Sequence, residues 1–558
     1  MKKVIFIVLA LIFLITQFPV ISSTNSVDYV ILVREKYREN VRPLEEFKKE
    51  QGYRVKVFTL EEIEKETFGK DRAEKIRNFL KEKLEELHFK YVLLVGSYRY
   101  IPQPIFFPKK NTRDDSYERI PSDFYYANLT SDFDTDKDKT MGEYGEDSFS
   151  YFPDVFVGRI PFTDRSGIEK YVDSLRKYKS VKEKNKVLLM GAMLWFKKEY
   201  GDYPKNNADG AKTMEILRKG IFKNLNSNVV TMYEKEGDGK SKYDSTYPLN
   251  IDNVKKEINN NYNFIAFFGH GSSNGVYRRI WNDRNRNDRF DDGEGSWSVF
   301  LSRNLVEETG ISNGVIFGMG CLTAETEKPN LAMTALRFGG VNYIGATRVA
   351  YGNPDSPISK EVLKFTERFF NLSESSGEAL YLSKWDNALS INDFSGQHNF
   401  FVFNLFGDPS VSYRDEDYSI FPRNFSLKQG RKRKVHIRII RGSSKDSLKV
   451  DSPIPFEIDD DDETITFLTK YDTPPDEYFV NVRVGDYSTV LRIVVYENKN
   501  LSDLNDDEVV DKRDLTIFYD AFPSIKGDKN YNSICDFNFD GKVDFYDFFI
   551  FSKNFGGE

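Results

Sequence analysis

Beginning at residue 27, the chain alternates short β-rich apolar runs with stretches in which apolar residues recur every three to four positions. The runs at 28–33, 53–58, 91–96, 154–158, 186–192, 263–268, 314–319 and 341–346 predict buried strands, and the stretches at 71–87 and 166–180 predict amphipathic helices. Strands and helices in alternation predict an α/β fold around a largely parallel sheet. Residues 27–413 exceed one such unit, so the block divides near residue 181 into two subdomains, 27–180 and 181–413. Beyond that the pattern is strands alone, separated by turn residues such as Gly442, Pro474, Pro475 and Gly485, which predicts a small β-sandwich over 420–498.

The opening MKKVIFIVLALIFLITQFPVISSTNS has a basic start, an apolar centre and a serine-rich exit. It predicts a secretory leader, residues 1–25, and so a secreted or cell-surface protein, with membrane attachment only if the leader is retained. Asn128, Asn371, Asn424 and Asn500 head N-x-S/T triplets, consistent with export. A net charge of -7 with 30% charged and 39% apolar residues gives ample core and a mixed surface, and excludes a general nucleic-acid binder. Cys321 and Cys535 are the only cysteines, so no disulfide framework holds the fold and each thiol needs its own account.

The tail contains a repeat, DLNDDEVVDKRD at 503–514 and DFNFDGKVDFYD at 536–547. Calcium needs six to eight oxygen ligands, and a loop with oxygens at positions 1, 3, 5, 9 and 12 can wrap one ion. The spacing is met by Asp503, Asn505, Asp507, Asp511 and Asp514, and again by Asp536, Asn538, Asp540, Asp544 and Asp547. Two stretches of the α/β block follow the same logic. One offers Asp132, Asp134, Asp136, Asp138 and Glu143, the other Asp283, Asn285, Asn287, Asp291 and Glu294. All four loops are expected to bind Ca2+. The paired tail loops, each followed by a helix-compatible aromatic stretch, resemble a dockerin module over 501–556. That resemblance implies a cohesin-like protein partner.

Two of the strands end on reactive side chains flanked by small residues: His270 in FFGHGSSNG and Cys321 in FGMGCLTA. Neighbouring parallel strands would bring both to one sheet edge, where the imidazole can take the thiol proton and return it to a leaving amine. The amides of Gly271 and Cys321 are expected to face a developing oxyanion. In order along the chain, DYVILVREKY, YVLLVGSYRYIP, SDFYYANL, FPDVFVGRIPF, FIAFFGHGSSNGV, IFGMGCLTA and VFNLFGDPSVSY resemble the gingipain family of cysteine peptidases, relatives of caspases and legumain in catalytic layout. The resemblance covers residues 27–413 and implies an endopeptidase acting on protein or peptide substrates, with Cys321 as nucleophile and His270 as general acid and base. It also implies a caspase-like sheet followed by a β-sandwich.

Where family members carry an acidic residue supporting the histidine, this chain has Met193, Leu194 and Trp195, which leaves a Cys-His dyad. Glu199, Asp202 and Asp209 are the carboxylates that follow. Asp209 is the candidate counterpart of the family's acidic specificity pocket, and no long propeptide separates the leader from residue 27. The competing reading is a catalytically inactive surface scaffold or adhesion protein built on calcium modules.

Overall fold

All eight apolar runs form strands of one eleven-stranded sheet. The computed structural model describes residues 27–558 except 110–114, 183, 353–359, 389, 415–417, 422–423, 440–447, 459–463, 485–486, 499–500, 506–509, 554 and 556–558. The predicted leader and Asp507 lie outside the described residues. In chain order the first strands are β1 (Tyr29–Val33), β2 (Val55–Thr59), β3 (Tyr91–Val95), β4 (Phe156–Ile160) and β5 (Lys186–Gly191). There follow β6 (Met193–Trp195), β7 (Ala208–Asp209), β8 (Asn228–Tyr233), β9 (Tyr247–Pro248), β10 (Phe264–Phe268) and β11 (His270–Ser272). The last of the block are β12 (Gly275–Trp281), β13 (Gly295–Ser302), β14 (Val315–Met319), β15 (Asn342–Ala346) and β16 (Phe403–Gly407).

The sheet runs in the order β2-β1-β3-β4-β16-β15-β14-β10-β5-β8-β9. Every neighbouring pair is parallel except β15 with β16. Two parallel halves of opposite direction therefore meet at that antiparallel pair. β1 to β4 come from residues before 181 and the rest from residues after it, so the sheet is continuous across the division read from the sequence. Its central strands are buried on both faces, as their apolar composition requires, while those towards either edge are partly exposed. The predicted helices form as Arg72–Leu87 and Arg165–Ser180, each started by an aspartate, Asp71 or Asp164, whose carboxylate accepts an N–H of the first turn.

Buried ion pairs fasten the first half, among them Lys90 with Glu378 at 3.0 Å. Lys48 meets Asp408, of the FGDPS stretch, at 2.6 Å, and Arg159 meets Asp123 at 2.6 Å. Asn128 is fully buried, with its amide donating to the carbonyls of Ser150 and Phe152, so this triplet cannot carry a glycan.

The chain divides at Arg414 into two compact units. The second contains two four-stranded sheets around a core of Phe425, Leu427, Val435, Ile465, Val480 and Leu491, the sandwich expected from the all-strand pattern. Its tail packs the helices Lys512–Ala521 and Phe545–Ser552 over Phe518, Phe537, Val543 and Phe551. Cys535 lies free in that core, and burial pushes its thiol up to about 12. No described helix is long and apolar enough to cross a membrane.

Candidate active site and acidic loops

β10 and β14 pair from Phe264 with Val315 to Phe268 with Met319, a constant offset of 51 residues. His270 and Cys321 are separated by the same 51 residues, so they leave the sheet at the same level on adjacent parallel strands. Gly269 continues the ladder by donating to the Met319 carbonyl at 3.1 Å. Beyond it the chain carrying His270 turns into β11, which opens a meander with β12 and β13 standing off the sheet edge.

The contact between the two strand ends is backbone on backbone. A Cβ on Gly271 would lie 2.7 Å from the Cys321 nitrogen and 2.7 Å from the Gly320 carbonyl carbon, and closer still to the Cys321 oxygen. Only glycine allows this approach, and it sets the Gly271 and Cys321 peptides side by side. Leu322, immediately after the cysteine, adopts a left-handed φ of 60° and donates its N–H to the Arg348 carbonyl at 3.0 Å.

Both side chains are half-buried and both free of charge-stabilising neighbours in contact. The Cys321 thiol donates to the Ala350 carbonyl at 3.7 Å, and burial holds it above the ordinary thiol range. The His270 Nε2 lies 2.8 Å from the Leu194 carbonyl. A carbonyl only accepts, so Nε2 carries the proton and Nδ1 is left with the lone pair. Burial lowers the histidine below its usual range. The ring stands edge-on to Trp195 at 5.7 Å and Trp297 at 4.8 Å, and Trp297 is 59% exposed.

The position next to His270 that the sequence left without a carboxylate is thus filled by a main-chain oxygen from β6. Glu199 does not reach the ring; it pairs with Arg279 of β12 at 2.6 Å. Asp209 sits on β7, opposite Met193. Its carboxylate accepts from the Ser241 hydroxyl at 2.7 Å and the Ala211 N–H at 2.9 Å, and burial raises it above the usual carboxylate range.

The acidic loops share one hydrogen-bond frame. In the tail loop from Asp536, the N–H groups of positions 2 and 9, Phe537 and Asp544, donate to Asp547. Position 5, Asp540, donates to Asn538, position 6, Gly541, to Asp536, and position 7, Lys542, to Asp540. The loop from Asp283 repeats all five bonds: Arg284 and Asp291 to Glu294, Asn287 to Asn285, Asp288 to Asp283, and Arg289 to Asn287. In the loop from Asp503, Leu504 and Asp511 likewise donate to Asp514, while Asn505 donates to the same carboxylate.

The remaining loop corrects the frame read from the sequence. Asp134, Asp136 and Asp138 converge, whereas Asp132 pairs with Lys137 and the Glu143 N–H donates to Asp147. The frame starts at Asp134: Asp138 donates to Asp136, Lys139 to Asp134, and Thr140 to Asp138. Asp147, which spacing alone did not reveal, accepts from Thr135 and Gly142 and so takes the closing role two residues late. The sixth position has a left-handed φ in all three complete frames, 73° at Lys139, 57° at Asp288 and 86° at Gly541. The repeated Asp-x-Asp-x-Asp fits the first three ligand positions in two registers, and the chain adopts the later one.

The model of peptidase family C25 matches residues 22–414, and that of the dockerin type I domain matches residues 501–555. No curated protein matches the chain. Among solved structures, the crystal structure of the Arg-specific cysteine proteinase gingipain R is similar over 85% of this chain and 98% of its own, with a TM-score of 0.51 and 17% identity. A second, described as a protease, is similar over 84% and 97% with a TM-score of 0.50 and 15% identity. The complex of the Porphyromonas gingivalis RgpB pro- and mature domains covers 84% and 100%, with a TM-score of 0.49 and 16% identity. At these identities the likeness speaks for the fold. The family match covers well over half the chain, which therefore belongs to peptidase family C25: it is a cysteine peptidase with a type I dockerin domain behind it.

Proposed function

We propose that the chain is an exported endopeptidase that cleaves peptide bonds through Cys321 and His270. The observation that carries this reading is the shared 51-residue offset, which sets the two side chains level on neighbouring strand ends. With the thiol pushed up and the imidazole pushed down by burial, the resting pair is neutral. Nδ1 takes the thiol proton as sulfur adds to the peptide carbonyl. The amides of Gly271 and Cys321 receive the oxyanion. Collapse breaks the C–N bond, the imidazolium protonates the departing amine, and water deprotonated by the imidazole hydrolyses the thioester.

Substrate selection lies around the same edge. Asp209 is the candidate acidic determinant for a basic residue, reached through rearrangement of its contact with Ser241. The leader, the export it implies and a cohesin-like partner for the tail belong to this reading.

Calcium belongs to it as well. Type I dockerin domains form a calcium-binding class, and the donors of the tail loops are the hard oxygens that this ion takes. Asp547 is raised to about 6 by burial, with Asp536 and Asp544 adding to it, a repulsion that a bound cation would relieve. The loops from Asp134 and Asp283 present the same frame with the same donor chemistry. Asp134, Asp136, Asp138 and Asp147 would hold one ion, and Asp283, Asn285, Asn287, Asp291 and Glu294 another. A bound ion supplies charge compensation that lets each loop stay closed.

The test is peptide hydrolysis and active-site alkylation by Cys321→Ala and His270→Ala, in calcium and in chelator. Loss of turnover in both variants with retained folding is expected. Full activity in Cys321→Ala would overturn the reading, and a folded wild type that never turns over would favour the scaffold alternative.

A further inference from the structure

The Leu194 carbonyl that holds His270 is itself held. Arg279 Nη1 lies 3.4 Å from the same oxygen, so the ring and the guanidinium both donate to it. The same Nη1 meets both Glu199 oxygens, at 2.6 and 2.8 Å, and Glu199 accepts the Phe196 N–H at 3.0 Å. Glu199 therefore ties down the chain two residues beyond Leu194, and Arg279 bridges that tie to the carbonyl. Arg279 is 8% exposed, and its guanidinium stands over three rings, Phe196 at 5.2 Å, Phe290 at 5.0 Å and Trp297 at 5.1 Å. Aromatic packing confines it, and its charge is matched by the Glu199 carboxylate.

Arg279 also shares a scaffold with the histidine. It lies on β12, which pairs with β11 through Tyr277 opposite His270. One rigid meander thus carries both donors, and the carbonyl they share comes from a different segment. We infer that Arg279 and Glu199 are positioning residues for His270: together they orient the Leu194 carbonyl that fixes the ring's tautomer and steadies its protonated form. The inference rests on the peptidase reading above.

The pair has a second consequence that packing alone would not produce. Glu199, on the segment after β6, and Arg279, on β12, are the charged groups that bear on the ring; Cys321 lies beyond the end of the neighbouring β14. Glu199 favours the imidazolium and Arg279 opposes it. Removing one charge should move the ring's titration one way, and removing the other should move it the opposite way.

The experiment measures the pH dependence of kcat/KM on a peptide substrate for the full chain in calcium. Glu199→Gln preserves size and an acceptor oxygen; we expect kcat down about tenfold and the acid limb moved to lower pH. Arg279→Gln is expected to lose about tenfold or more in kcat, with the acid limb moved to higher pH. The double variant should return the limb towards wild type without recovering kcat. Arg279→Lys keeps the charge but not the planar fork, so it should lower kcat while leaving the limb in place, and KM should change less than kcat throughout. Unshifted limbs in folded Glu199→Gln and Arg279→Gln, or shifts of the same sign in these two charge-removing variants, would overturn the inference. Failure of the peptidase reading is distinct, because it appears as activity surviving in Cys321→Ala.

Discussion

Replacing Gly271 by alanine probes the contact on which the site is built. The added Cβ would meet the Cys321 nitrogen and the Gly320 carbonyl carbon at 2.7 Å, where ordinary contact begins at 3.4 Å. Both neighbours are main chain and flank the last step of a buried ladder, so the two strand ends must separate by about 0.7 Å or more. A 1 Å misplacement of reacting groups costs about 100-fold, so kcat should fall about 10- to 100-fold, equivalent to about 1.4–2.7 kcal/mol of barrier. Overpacking should also cost about 1–3 kcal/mol of stability. Gly320→Ala is the internal control. Its Cβ would meet its nearest atoms at 3.3 Å, one of them the Thr323 methyl, which a small shift accommodates. The assay is kcat on a peptide substrate at saturating calcium, normalised to thiol titrated with an active-site alkylator, alongside thermal unfolding. Gly271→Ala with wild-type kcat, or no worse than Gly320→Ala, would refute the claim that this contact sets the Cys-His geometry.

Three further outcomes are expected. Because burial lowers His270 and raises Cys321, the reactive form has a neutral ring: kcat/KM should hold down to below about pH 6.5, and thiol alkylation should keep rising above about pH 8.5; alkylation already at its plateau in acid would indicate a resting ion pair instead. Calcium at 100 times its dissociation constant should stabilise the peptidase unit by about 2.7 kcal/mol per site, and Asp283→Asn should remove one such increment from the calcium-dependent melting shift, whereas an unchanged shift would exclude that loop. Asp408→Asn leaves Lys48, 2% exposed, without its carboxylate, and should cost about 3–5 kcal/mol in denaturant unfolding, a loss below 1 kcal/mol being incompatible with the pair's part in the core.

How much of this was legible in the sequence depended on which groups carry the information. Buried strands announce themselves by β-rich apolar runs, and all eight such runs entered the sheet. The β12–β13 hairpin was missed because GVYRRIW reads as half polar. Arg278 and Arg279 are nevertheless buried, neutralised by Glu234, Glu236 and Glu199, partners 42 to 80 residues away that no local pattern reveals. Asn228–Tyr233 escaped because its first residues are exposed, and Phe403–Gly407 because its run passes straight from a helix into FGDPS. In the loop from Asp134, spacing showed the acidic run but not its register, since aspartate at every second position fits two frames and the closing Asp147 comes after a two-residue insertion.

The histidine's support illustrates a sharper limit. A search for a third carboxylate presumes that a side chain must do the work, yet what the ring requires is an acceptor at Nε2 and a field that tolerates imidazolium. A peptide oxygen meets the first need without bringing a net charge into a buried site, where an unpaired carboxylate would be costly and would draw a proton to itself. Its weakness is freedom of orientation: a carbonyl points where its chain points. An acidic side chain can be steered by its own rotamer, but Leu194 O can be steered only by fixing the segment around it. Glu199 supplies that fixation from within the segment itself, and Arg279 from the meander that also holds His270. The charge absent from contact with the ring therefore reappears one step out, as a balanced pair, where it acts by geometry first and by its field second.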